Sequence, residues 1–161
     1  MASAGATTGA AARHQTVLLV DDEGDIVESL KELIERALPT VKVYPANSGQ
    51  EALDLLKQRR FDLFITDYKM PGMNGLEFLR RAEAVEPDVP RILITAFPDL
   101  QIAIQAINEA EIDKFFTKPF DGQEVIEAIR HILVDKKAKE PWSQSFMDSL
   151  AMLKKRSSLD E

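Results

Sequence analysis

The chain has 161 residues, 45% of them hydrophobic, with no cysteine and a formal net charge of -7. This is material for one domain with modest extensions, and it excludes a disulfide framework and thiolate metal sites. Residues 16–135 carry 13 Lys and Arg against 23 Asp and Glu, an acidic balance that argues against direct nucleic-acid binding. No run of about 18 apolar residues is present, so no membrane-spanning helix is expected.

The chain opens with Met1 to Ala12, rich in Ala, Gly, Thr and Ser. It lacks the apolar core of a secretory signal, so residues 1–14 are expected to be a disordered lead-in and the cytoplasm is the expected compartment. From there apolar runs alternate with helical patterns at roughly 20–30-residue spacing, the mark of βα units on a parallel sheet. The first strand is about Val17–Val20. The helix after it sets Ile26, Val27, Leu30, Leu33, Ile34 and Ala37 on one stripe, with Pro39 beyond its end. The second strand is Val41–Pro45, and the second helix opens on Ser48-Gly49-Gln50-Glu51, a capping box. The third strand, Leu63–Thr66, leads into a Pro/Gly-punctuated loop, Met70 to Gly75, and a helix over about Leu76–Val85.

The fourth strand is Arg91–Thr95 and the fourth helix about Asp99–Glu109. The fifth strand is Lys114–Thr117 and the fifth helix about Gly122–Val134. Near-continuous apolar strands predict a sheet covered on both faces. Past Val134, residues 136–161 read as a charged linker and a short amphipathic helix with Phe146, Met147, Leu150 and Leu153 at helical spacing. Twenty-odd residues cannot bury a core of their own, so this tail is either an output peptide or the start of a linker.

Four of the apolar runs end on polar residues: Asp21-Asp22-Glu23, Asp67, Thr95 and Lys118-Pro119. In an open parallel sheet ligands bind beyond the carboxyl ends of the strands. Three carboxylates, a hydroxyl and an ammonium are thereby expected in one crevice. The clustered negative charge is costly unless a cation shares it, and hard oxygen ligands suit Mg²⁺. Asp67 can then serve both as metal ligand and as nucleophile toward a phosphoryl group, with Lys118 as a point-charge partner for phosphate and Thr95 as a hydroxyl donor.

These residues carry a resemblance. Val20-Asp21-Asp22-Glu23, Asp67-Tyr68-Lys69-Met70-Pro71-Gly72-Met73-Asn74-Gly75, Thr95-Ala96 and Lys118-Pro119-Phe120 make the chain similar to the receiver domains of two-component response regulators, over about residues 15–135. The resemblance implies a flavodoxin-like (βα)5 fold with a five-stranded parallel sheet in the order 2-1-3-4-5. It implies phosphoryl transfer from a histidine kinase or phosphotransfer protein onto Asp67. It also implies direct Mg²⁺ ligation by Asp22, Asp67 and the Lys69 backbone carbonyl, Asp21 acting through a water, and a cis Lys118–Pro119 bond.

The resemblance further implies switching through Thr95 and an aromatic side chain, here Phe115 where the family usually has Tyr. The surface that changes would be the face of the fourth helix, fifth strand and fifth helix. Helical spacing sets Ile102 and Ala106 apart from the stripe of Leu100, Ala103, Ile104 and Ile107, so Ile102 and Ala106 are expected on a partner surface for a second copy or a downstream effector. Lys69 and Phe97 are expected to line the mouth where attacking water enters. The stretch Ala106–Ile112 is more similar to receivers attached to HD-GYP-type phosphodiesterases than to those of DNA-binding regulators. Such a protein is a switch, with only self-phosphorylation and slow self-dephosphorylation of its own. The alternative is a receiver-like interaction module that is never phosphorylated. A haloacid-dehalogenase-type phosphatase would need its nucleophile at the first strand, and no Gly-x-x-x-x-Gly-Lys phosphate loop occurs.

Overall fold

The computed structural model of the protein describes residues 14–96, 101, 105, 106 and 108–134. The expected lead-in, Phe97, Ile102 and the helical tail lie outside the described residues. Five strands form one parallel sheet, β1 (Gln15–Val20), β2 (Val41–Ala46), β3 (Leu63–Asp67), β4 (Arg91–Thr95) and β5 (Lys114–Thr117), in the order β2-β1-β3-β4-β5. Helices α1 (Gly24–Ala37), α2 (Gly49–Gln58) and α3 (Gly75–Val85) follow the first three strands. A final helix, Gly122–Ile129, follows β5 and runs on as a wider π-helical turn over Arg130–Val134. This is the expected flavodoxin-like arrangement.

Alternation along each strand divides the core in two. On β1, Val17 and Leu19 face a cluster with Val27, Leu30 and Ile34 of α1 and with Val125, Ile126 and Ile129 of the final helix. Leu18 and Val20 face the opposite cluster, with Ala52 and Leu56 of α2 and Leu76, Phe78 and Leu79 of α3. Each such side chain, fully buried, stabilises the fold by about 1.5–3 kcal/mol.

Helix starts are marked by polar caps. Ser48 Oγ accepts from the Glu51 N–H at 3.1 Å, while Glu51 reaches back to the N–H of Asn47, one residue past the reciprocal partner of a capping box. Asn74 caps α3 through the Glu77 N–H, and Asp121 caps the final helix through the Gln123 N–H.

The free edge of β2 is closed to further strand pairing. The Val41 N–H donates to the Leu38 carbonyl, the Val43 N–H donates to Glu35 Oε2 of α1, and Pro45 has no N–H to offer. Burial alone would raise the Glu35 carboxyl. The Val43 N–H and Lys31, 3.2 Å away, outweigh it and hold the group below its ordinary value.

One expectation fails on packing. Ala106, expected on a partner surface, is 0% exposed and belongs to the cluster of Phe64, Phe78 and Leu93. Its methyl is small enough to let the helical segment approach the sheet, and the outward positions are taken by Gln105, Asn108 and Glu109.

Candidate functional site

The ladder register brings the strand ends together. Val20 pairs with Thr66, Asp67 with Ile94, and Thr95 with Thr117. The residues just past β1 and β5, and the last residues of β3 and β4, therefore share one end of the sheet. Asp21, Asp67 and Thr95 are all buried there. Asp67 is itself the last residue of β3, one position beyond the expected strand end.

Lys118 reaches into the middle of the group. Its Nζ lies 2.8 Å from Asp21 Oδ2, 3.2 Å from Asp67 Oδ2 and 3.5 Å from Glu23 Oε1. Backbone geometry aims it. The Lys118 N–H donates to the Thr95 carbonyl at 2.8 Å, and the Lys118–Pro119 bond is cis, as expected. The remaining carboxylate oxygens are tied down locally, Asp21 Oδ1 by the Glu23 N–H at 3.0 Å and Asp67 Oδ1 by the Tyr68 N–H at 2.7 Å.

Burial comes first among the effects that push the Asp67 carboxyl above its ordinary value, and the neighbouring Asp21 charge adds to it. Lys118 and the Tyr68 N–H oppose the rise without cancelling it. Burial alone would depress the Lys118 ammonium, but the Asp21 hydrogen bond and charge, with Asp67 behind them, leave it raised. Two buried carboxylates thus share one cation, and negative charge remains in excess.

Asp22 completes the acidic set from the exposed side. Oxygens of Asp21, Asp22 and Asp67 all lie within 4.8 Å of one another. The donors are hard oxygens only, one carboxylate is open to water, and no His or Cys intrudes. That chemistry fits Mg²⁺, which binds through few carboxylates and keeps several waters. Lys69, two residues past Asp67, is exposed at the rim.

Two contributors were not legible as site residues. Glu23 is the N-cap of α1 yet makes no capping hydrogen bond; its carboxylate turns to Lys118 instead. Its place after two aspartates was the only signal. Gly75 closes the loop behind Asp67: its N–H donates to the Tyr68 carbonyl at 2.7 Å, and a Cβ there would sit 2.0 Å from the Asp67 carbonyl oxygen. The Pro/Gly punctuation of the loop signalled a turn but not this close approach. On β5, Phe115 is half-buried and packs against the cluster that contains Ala106, while Phe116 points to the other face.

A family model described as the response regulator receiver domain matches residues 17–130. The chain is 32% identical over 120 residues to sporulation initiation phosphotransferase F of Bacillus subtilis, covering 74% of this chain and 94% of that protein. It is 36% identical over 115 residues to the C4-dicarboxylate transport transcriptional regulatory protein DctD of Rhizobium meliloti, covering 71% of this chain and 24% of that one. Against DctD and the YesN regulator of Bacillus subtilis, it spans only about a quarter to a third of the relative's length. Among solved structures it is similar to the signal receiver domain of an HD domain-containing protein from Pseudomonas fluorescens, with a TM-score of 0.72 and 37% identity over 77% of this chain and 98% of that one.

Proposed function

The chain belongs to the response regulator receiver domain family, and from that membership we propose a phosphorylation-controlled switch in which Asp67 accepts a phosphoryl group from a partner histidine kinase or phosphotransfer protein. The observation that carries this reading is the single ammonium of Lys118 held between Asp21 and Asp67, at 2.8 and 3.2 Å, beside the open carboxylate of Asp22.

Asp67 is kept ionised for attack by Lys118 and oriented by the Tyr68 N–H. Its carboxylate oxygen forms the new O–P bond as the donor's N–P bond breaks, and the electron pair leaves with the donor imidazole. Lys118 then exchanges part of its carboxylate contact for a phosphoryl oxygen, and the Thr95 hydroxyl serves a second one. Asp22, Asp67 and the Lys69 carbonyl, with Asp21 through a water, would hold Mg²⁺, which would supply the remaining charge neutralisation. The phosphoryl group brings nearly two negative charges and three strong acceptors. Thr95 moves toward it, and Phe115, three residues before Lys118, repacks against the cluster shared with Ala106. The result is a population shift of the face formed by the segment before β5, β5 and the final helix.

The receiver unit is residues 15–135 and acts in the cytoplasm through protein partners, a second copy or a downstream effector. The acidic body supports a domain that does not itself hold nucleic acid, and no helix among the described residues is long and apolar enough to cross a membrane. Slow hydrolysis of the acyl phosphate is its only further chemistry.

The test is intact mass after incubation with acetyl phosphate. One phosphoryl group is expected on wild type with Mg²⁺, and none with excess EDTA or on Asp67→Asn. Addition to the Asp67→Asn variant would overturn Asp67 as the acceptor, and no addition to wild type together with weak Mg²⁺ affinity would favour the unphosphorylated interaction module instead.

A further inference from the structure

Among the described residues, α2, α3 and the final helix each start on a side chain that accepts from the backbone, Ser48, Asn74 and Asp121. Helix α1 does not. Its N-cap is Glu23, in extended conformation and without a side-chain capping bond, although Ser, Thr, Asp and Asn satisfy this position best. The longer carboxylate points elsewhere: Glu23 Oε1 lies 3.5 Å from Lys118 Nζ. The Glu23 N–H meanwhile donates to Asp21 Oδ1 at 3.0 Å. One residue therefore fixes a carboxylate of the site with its backbone and reaches the ammonium with its side chain.

An ammonium carries three N–H donors, and Lys118 has three carboxylates around it among the described residues, Asp21 at 2.8 Å, Asp67 at 3.2 Å and Glu23 at 3.5 Å. Asp21 and Asp67 are buried and belong to the acidic set that fits Mg²⁺, whereas Glu23 stands outside it. The Glu23 side chain is 57% exposed against 10% for Lys118. Both line an open groove between α1 and the loop from β5 to the final helix, with Ile26, Leu33 and Phe120 among its walls. We propose that Glu23 is a positioning residue for Lys118, holding the ammonium on the groove side when Asp21 and Asp67 turn their oxygens to Mg²⁺. The identity of that ion rests on the proposed function.

The physical reason is competition between like charges. An ammonium and a divalent cation drawn to the same two carboxylates repel each other. Glu23 gives Lys118 a counter-charge that the metal set does not use, and it keeps the ammonium beside Asp67, where a phosphoryl oxygen would meet it. An exposed ion pair contributes little to folding, so the contact acts on ion binding and hardly on the fold. Helix capping and ion binding therefore make opposite demands on position 23. A shorter, better cap helps α1 and leaves Lys118 without its outer partner.

The test is an NMR titration of backbone amide signals with Mg²⁺ in the full-length protein, alongside Tm in EDTA. Glu23→Asp keeps the charge, is one methylene shorter and gives α1 a favoured cap. It is expected to weaken Mg²⁺ binding about three- to tenfold while Tm in EDTA holds or rises. Glu23→Gln is expected to weaken it to a similar extent. Asp25→Asn removes an exposed charge from the same groove and is expected to change the affinity less than about twofold, as screening by salt allows. In a Lys118→Met background the loss from Glu23→Gln is expected to fall below about twofold, because its partner is gone.

Wild-type affinity in Glu23→Asp, or an Asp25→Asn loss as large as that of Glu23→Gln, would reduce Glu23 to one acidic charge among several and overturn the proposal. A Glu23→Gln loss undiminished in Lys118→Met would do the same, and a fall in Tm matching the fall in affinity would assign the effect to the helix. No saturable Mg²⁺ binding by wild type would overturn the acidic set as an ion site and this role of Glu23 with it. That failure is distinct from one in which wild type binds the ion and the Glu23 variants bind it equally well.

Discussion

Among the described residues, two cationic side chains are largely withdrawn from solvent, Arg91 and Lys118, one at each end of the sheet, and they are satisfied in opposite ways. Arg91, at the amino end of β4, is 3% exposed, and its guanidinium donates to the carbonyls of Pro87, Val89 and Ala110 at 3.1–3.2 Å. Its own N–H donates to Asp113, and Glu83 lies 3.6 Å from Nη1. Lys118, at the carboxyl end, has three carboxylates within 3.5 Å. The planar Arg fork fits fixed neutral carbonyls and staples the loops around β4. The Lys point charge sits among carboxylates that carry charge of the opposite sign. The difference separates a cation held mainly by neutral carbonyls from one held among carboxylates.

The sharpest way to break that contrast is to remove each cation. Lys118→Met leaves Asp21 and Asp67 buried against each other, and breaking such a pair costs about 3–5 kcal/mol. Urea unfolding in EDTA should show a loss of this size, and Mg²⁺ should recover much of it. Recovery fails if the acidic set does not hold the ion. Arg91→Leu strands the carbonyls of Pro87, Val89 and Ala110 and should cost about 2–3 kcal/mol, with no recovery in Mg²⁺ and with phosphoryl uptake per folded molecule unchanged. A metal-dependent rescue of Arg91→Leu would erase the distinction between the two ends.

The smallest effect lies in pH. Because burial and the Asp21 charge raise the folded Asp67 carboxyl above the ordinary carboxylate value, its favourable contribution is fully present only below that ordinary value. It is lost as pH rises through the folded-state value, leaving a cost at neutral pH. Asp67→Asn should therefore be more stable than wild type at pH 7 without metal, by a few degrees in Tm. The gap should shrink on acidification toward about pH 4 and in Mg²⁺. A gap that stays flat with pH would place the strain elsewhere. The raised Lys118 group stays charged throughout this window, so its contribution is constant there.

Much of the site was legible because its chemistry follows apolar runs. Asp21, Asp67, Thr95 and Lys118 each mark where a strand stops, so the residues and their order could be read together. The ends of β4 and β5 matched, since Thr95 and the Lys118-Pro119 pair close them sharply. β3 ran on to Asp67 because pairing with Ile94 extends the ladder. Ala106 was misread because residues 100–107 are apolar on two sides, and a period of 3.6 then fixes a stripe without saying which stripe turns inward.

By itself the sequence determined the alternation of strands and helices, the cap at Ser48, and the acidic and basic residues at the strand ends. These depend on local propensity and periodicity, which neighbouring residues carry. Only the tertiary structure decided that Glu23 turns from capping α1 to reach Lys118 from 95 residues away. It also decided that Glu35 closes the β2 edge and that Arg91 is buried among carbonyls. Each of these depends on distances across the sheet, set by how two helical layers pack against one parallel ladder.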